Sequence, residues 1–117
     1  MSFAQFMGFQ ALHYLSYMFA GFMIGTGEGV LANLAFNFVT FFFPALVIAL
    51  VIKELANFTL NVLSVSLSFN TMTYLLAYAL HIPLPSWKLL VLDYGLVSLL
   101  SILGLLAGKR LKNSQPK

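Results

Sequence analysis

Charged residues divide this chain into four long apolar stretches. Asp, Glu, Lys and Arg are absent from Met1 to Gly27, from Val30 to Ile52 and from Leu55 to Trp87, and Leu89 to Gly108 holds only Asp93. A helix needs about 20 apolar residues to cross a bilayer core. The pattern therefore predicts four spans, at roughly 6–26, 30–52, 58–81 and 88–108. Each interruption has a physical cause. Gly25-Thr26-Gly27-Glu28-Gly29 reads as a polar turn. Lys53-Glu54 must reach an interface. Pro83-Leu84-Pro85-Ser86 cannot continue a helix, because proline lacks an amide hydrogen and restricts the residue before it. Trp87 beside it suits an interfacial position. Val62 to Asn70 alternates apolar and polar as a strand would, but a lone strand in lipid leaves its backbone unsatisfied, so helix is expected.

The expectation is an all-α integral membrane protein, a single transmembrane domain over residues 1–117 built of two hairpins. Composition agrees: 61% of the 117 residues are hydrophobic and 8% charged, more apolar surface than a soluble chain of this size can hide. The net charge of +3 is topological. With four spans both termini share one side, which holds Lys53, Lys109, Arg110, Lys112 and Lys117, whereas the other holds only Lys88. The positive-inside rule then puts both termini in the cytoplasm. Nucleic-acid binding is not expected, for want of a polar binding face. The absence of cysteine excludes disulfides, thiolate metal sites and cysteine nucleophiles. The first stretch lacks the basic start of a secretory signal and reads as a retained span.

The two halves match in layout. An offset of 56 positions lays Asn37-Phe38 on Asp93-Tyr94 and Lys53-Glu54-Leu55 on Lys109-Arg110-Leu111. Repeats of this kind are common in transport folds, with the site at the repeat interface. Equally, any four-span chain with short loops divides into two similar hairpins.

Phe6-Met7-Gly8 opens the first span, Leu31-Ala32-Asn33-Leu34 opens the second, and basic residues close the halves at Lys53 and at Lys109-Arg110. In these features and in its layout the chain resembles the GtrA-like family of small four-span membrane proteins. The resemblance implies a translocase or helper for polyprenyl-phosphate-linked sugars in cell-surface polysaccharide synthesis, in a bacterial inner membrane.

Asp93 is the sharpest chemical feature. It falls about five residues inside the fourth span, some 8 Å along the helix. Ionisable groups at depth cost several kcal/mol and tend to face the bundle or a wet cavity. The offset puts Asn37 at similar depth. The functional expectation is a polar outer cavity, a ligand or transport path lined by Asp93, Asn37 and Asn33 with Lys88 and Glu28 at its mouth. The alternative is an interfacial Asp93 that reaches headgroup water or pairs with Lys88.

Other polar positions read as packing. In the third span Asn57, Asn61, Ser64, Ser68 and Thr71 recur along one helical face, as small hydroxyl and amide residues do at membrane helix contacts, the alternative being the wall of a polar path. Gly21 with Gly25, and Gly104 with Gly108, form GxxxG pairs that favour close helix approach, within the subunit or between subunits. His13 at mid-span is expected to be a hydrogen-bonded core residue, the alternative being a proton relay. Pro44 predicts a kink in the second span.

Two readings of function stand against each other. One is a small transporter or flippase, working with membrane lipids and as an oligomer. The other is a non-catalytic accessory subunit of a larger membrane complex. A third, a pore-forming or immunity-type protein, would predict lysis or protection on expression. No cofactor or metal is implied. An enzyme is not expected, since Glu28, Glu54 and Asp93 are the chain's acids and no positioned nucleophile motif accompanies them.

Overall fold

A computed structural model describes residues 2–24, 29–52 and 57–114. Its elements are α1 (Phe3–Ile24), α2 (Val30–Asn37), a π-helical segment (Phe38–Phe42), α3 (Phe43–Val51), α4 (Phe58–Ala79) and α5 (Trp87–Ser114). Phe38, Phe42 and Phe43 all keep right-handed helical angles, so α2, the π segment and α3 run on as one rod. The described residues thus form four long helical rods, close to the four expected stretches. Leu31–Val51, Phe58–Ala79 and Trp87–Asn113 are each long and apolar enough to cross a membrane, which marks an integral membrane protein. By length and composition α1 is not among these three. It has 22 residues, as α4 does, but carries Gln5, Gln10, His13 and Ser16 along its length.

The helix ends follow local chemistry. Ser2 and Gln5 form a reciprocal capping box: Gln5 N–H donates to Ser2 Oγ at 3.1 Å, and Ser2 N–H to Gln5 Oε1 at 3.0 Å. α4 ends in a Schellman motif. His81 takes the left-handed conformation (φ 60°), His81 N–H donates to Tyr78 O, and Ile82 N–H donates to Ala77 O. Pro83 then forbids continuation. Gly29, at φ 87°, supplies the positive angle that precedes α2. The expected turn residues 25–28 and the Lys53-Glu54 break lie outside the described residues.

Pro44 is preceded by a π-helical turn. Its missing N–H leaves the Thr40 carbonyl without the usual helix donor. Ahead of it the helix widens, and Phe43 N–H bonds Phe38 O, five residues back. Thr40 Oγ1 turns to the Phe36 carbonyl at 2.8 Å. Such π turns recur at functional sites.

The packing is that of a membrane bundle. Small residues make the tightest seam, between α3 and α5. A Cβ on Gly104 would collide with Phe42 O and sit 2.9 Å from Ala45 Cβ; one on Gly108 would sit 2.6 Å from Ala49 Cβ. Gly104-x-x-x-Gly108 thus lies on Ala45-x-x-x-Ala49, and only glycine permits that approach. Gly21 behaves differently. It is exposed, and a Cβ there would meet nothing nearer than Phe36, at 4.0 Å. Among the described residues it makes no close approach, and its expected partner Gly25 lies outside them. Large apolar side chains such as Phe22 (87% exposed) and Leu31 (82%) point outward, while His13, Ser16, Thr40, Ser66, Asn70 and Ser101 are buried. That inversion suits lipid outside and hydrogen bonding within.

Candidate functional site

Asp93 lies on α5 about two turns from its start, facing α4. Asn70 and Tyr74, one turn apart on α4, both reach it. Asn70 Nδ2 donates to Asp93 Oδ2 at 2.9 Å and Tyr74 OH donates to the same oxygen at 2.7 Å. Oδ1 accepts no hydrogen bond from the described residues. Neighbouring contacts brace the pair: Thr73 Oγ1 donates to the Asn70 carbonyl at 2.6 Å, and the Thr71 and Tyr94 hydroxyls meet at 2.7 Å. Across the gap, on α2, Asn37 Nδ2 donates to Asn33 Oδ1 at 2.7 Å and to the Asn33 carbonyl at 3.1 Å.

Between these helices is a cavity of about 230 Å³, to which Asn33, Asn37, Thr40, Asn70, Tyr74 and Asp93 contribute polar groups and Tyr17, Phe36, Phe41 and Phe69 aromatic walls. The π segment supplies Thr40 and Phe41. A second, mostly apolar cavity of about 270 Å³ shares Tyr17, Phe69, Thr73 and Ala77 with it and continues along Met72, Leu76 and Leu80. A carboxylate oxygen, amides and a phenol beside aromatic faces suit a ligand rich in hydroxyl donors.

Three of the residues expected to line a path, Asp93, Asn37 and Asn33, share this cavity. Lys88 does not. Its ammonium lies over the Trp87 ring, 5.7 Å from the centroid. Asp93 is therefore held by two neutral donors and not by Lys88. Glu28 lies outside the described residues. The sequence reading missed Asn70 and Tyr74. It chose the stripe Asn57, Asn61, Ser64, Ser68 and Thr71, whereas the buried face of α4 carries Val62, Val65, Ser66, Phe69 and Asn70. Ser64 is exposed and spends its hydroxyl on the Leu60 carbonyl of its own helix; Thr71, also exposed, donates to the Leu67 carbonyl and accepts from Tyr94 of α5, as a packing residue does; Asn61 and Ser68 are half-buried. Ser66 and Asn70, also one turn apart, were the available signal.

A second polar cluster lies deeper, under Phe41 and Phe69, whose rings are 6.2 and 5.8 Å from that of His13. His13 Nδ1 is 2.8 Å from the Phe9 carbonyl and Nε2 is 3.0 Å from Ser66 Oγ. Ser101 Oγ donates to Ser66 Oγ at 2.9 Å. A carbonyl only accepts, so Nδ1 carries the ring proton. Ser66 donates to Nε2, and Ser66 Oγ in turn accepts from Ser101. One directed chain thus ties α5, α4 and α1 together, with both imidazole nitrogens spent on it. Among the described residues no three His, Asp or Glu side chains converge as a metal centre requires. Comparison of the chain with known protein families, characterised proteins and solved structures finds no match.

Proposed function

We propose that this protein is a small four-span membrane transporter, flippase or helper that receives the hydroxyl-rich headgroup of a membrane lipid in the Asp93 cavity. The observation that carries the reading is a carboxylate held through Oδ2 while Oδ1 is left without a partner among the described residues, in a polar cavity that shares four lining residues with an apolar groove. The polar part fits a headgroup and the groove fits a chain, so the ligand is amphiphilic. A polyprenyl-phosphate-linked sugar, as in cell-surface polysaccharide synthesis, has this form, and the acid and amides suit its sugar better than its phosphate.

In this reading α1 is the fourth span. Its 22 residues rise about 33 Å, enough for a bilayer core. Its polar His13 and Ser16 face the bundle, where they are buried. The basic end lies in the cytoplasm with both termini, and the membrane is the bacterial inner membrane. Gly21, open on the outer face of α1, favours a second reading, in which the chain packs against further copies or serves as an accessory subunit of a larger membrane protein.

The test is to purify the full chain in mild detergent and identify copurifying lipids and proteins by mass spectrometry. A stoichiometric hydroxyl-rich lipid, retained by the native chain and lost on Asp93→Asn, is expected. A stoichiometric larger membrane protein with no such lipid would overturn the transport reading and favour the accessory subunit.

A further inference from the structure

The far end of α5 carries a second polar recess, unrelated to the Asp93 cavity. Lys109 lies 16 residues beyond Asp93 on α5, about 24 Å along the axis. The recess measures about 280 Å³ and is lined by Lys109, Lys112 and Asn113 of α5 against Ala49, Ile52 and Phe58. Two contacts fix its ammonium groups. Lys112 Nζ donates to the Ile52 carbonyl at 3.1 Å, just past the end of α3. Lys109 Nζ lies over the Phe58 ring, 5.3 Å from its centroid. The Ile52 bond uses one of three Lys112 hydrogens and the ring contact uses none of those of Lys109. No carboxylate among the described residues pairs with either.

Depth says what such a recess meets. The 28 residues of α5 rise about 42 Å, against a hydrocarbon core of about 30 Å. Measured from Trp87, the core ends near Leu106, about 20 residues on, and Lys109 to Asn113 stand at the level of the lipid headgroups. Two ammonium groups and an amide there, backed by an apolar wall, complement an anionic phosphate whose acyl chains lie along the bundle. We propose that this recess binds the phosphate headgroup of an anionic membrane lipid.

Arg110 provides the internal control. It adjoins Lys109 in sequence, carries the same charge and is likewise exposed, yet it does not line the recess. General attraction to a negative surface would use all three cations alike, whereas a site would use two. The experiment is native mass spectrometry of the full chain in detergent, titrated with phosphatidylglycerol or phosphatidylcholine. The native chain should hold phosphatidylglycerol at least about 10-fold more tightly. Lys109→Gln, alone and with Lys112→Gln, should bring that preference close to none, and Arg110→Gln should keep it within about 2-fold. The single Lys109→Gln variant leaves the Lys112 bond to Ile52 in place, so loss of fold cannot imitate loss of the site there. Equal retention of the two lipids by the native chain overturns the proposal, as does an Arg110→Gln loss equal to that of Lys109→Gln. Added inorganic phosphate separates the sources. Failure to displace phosphatidylglycerol supports the lipid, and full displacement by phosphate overturns the assignment to a lipid.

Discussion

The His13 cluster and the Asp93 cluster are both polar and both face the bundle, yet they are completed differently. At His13 every partner is supplied by the chain: Phe9, Ser66 and Ser101 satisfy both ring nitrogens and both hydroxyls in one directed relay. At Asp93, Asn70 and Tyr74 crowd onto one carboxylate oxygen and leave the other to a cavity. A fully satisfied buried network specifies structure, and an incompletely satisfied one tolerates its cost only where something else completes it. Residue type does not separate the two: by chemistry alone His13 looks as functional as Asp93. The closure of the hydrogen bonds separates them.

The comparison predicts opposite mutational profiles. The largest expected effect is at His13, which is fully buried. His13→Ala leaves a cavity and breaks the relay across three helices, a loss of about 3 kcal/mol in stability, read by unfolding in mixed micelles. The fraction that stays folded should bind lipid as the native chain does. Loss of binding in that folded fraction would make His13 part of the site and erase the distinction. Asp93→Asn should do the reverse. An asparagine oxygen at Oδ2 still accepts from Asn70 and Tyr74, and a half-buried ionisable group within the span is removed. Stability should stay within about 1 kcal/mol or rise, while the copurifying lipid is lost. A drop of stability like that of His13→Ala would make Asp93 a structural residue.

How much of this was legible follows from what each signal measures. The rods themselves were legible from the apolar stretches, and Pro83 follows closely on the end of α4, but charge did not end α5, which runs through Lys109, Arg110 and Lys112 to Ser114 where the expected span stopped at 108. The placing of Asp93 and Asn37 beside one cavity was legible from matched depth. The rotation of α4 was not. In water, polarity marks the outer face of a helix; in lipid, hydroxyls can face either way, because an exposed Ser64 satisfies itself on its own backbone. Two polar stripes therefore compete on α4, and spacing cannot say which one looks inward. The π turn was legible only as far as Pro44, since the sequence marks the lost N–H and not the way the helix absorbs it.

That ambiguity gives a finer test. Ser66→Ala removes the middle of the relay and leaves His13 Nε2 without its donor, for a loss of about 1 kcal/mol at roughly 0.6 kcal/mol per bond. Ser64→Ala, on the rival stripe, should change stability by less than about 0.5 kcal/mol. Equal effects from the two alanines would mean that α4 is rotated from the orientation described.

The smallest effect concerns an imperfection beside the closed cluster. Gln10, one turn before His13 on α1, donates through Nε2 to the Val65 carbonyl at a long 3.3 Å, and its buried Oε1 meets no donor. An unsatisfied buried acceptor costs more than a stretched hydrogen bond returns. The Val65 carbonyl keeps its place in the α4 ladder whether or not Gln10 reaches it. Gln10→Leu removes both the weak bond and the stranded oxygen and puts an aliphatic side chain beside the core around Phe9 and Val65. Stability should be unchanged or higher by up to about 1 kcal/mol, and lipid retention should not move. A loss above about 1 kcal/mol would show that Oε1 has a partner in the membrane, a water or a second chain. That partner would then reach the interior one turn from His13, beside the closed cluster.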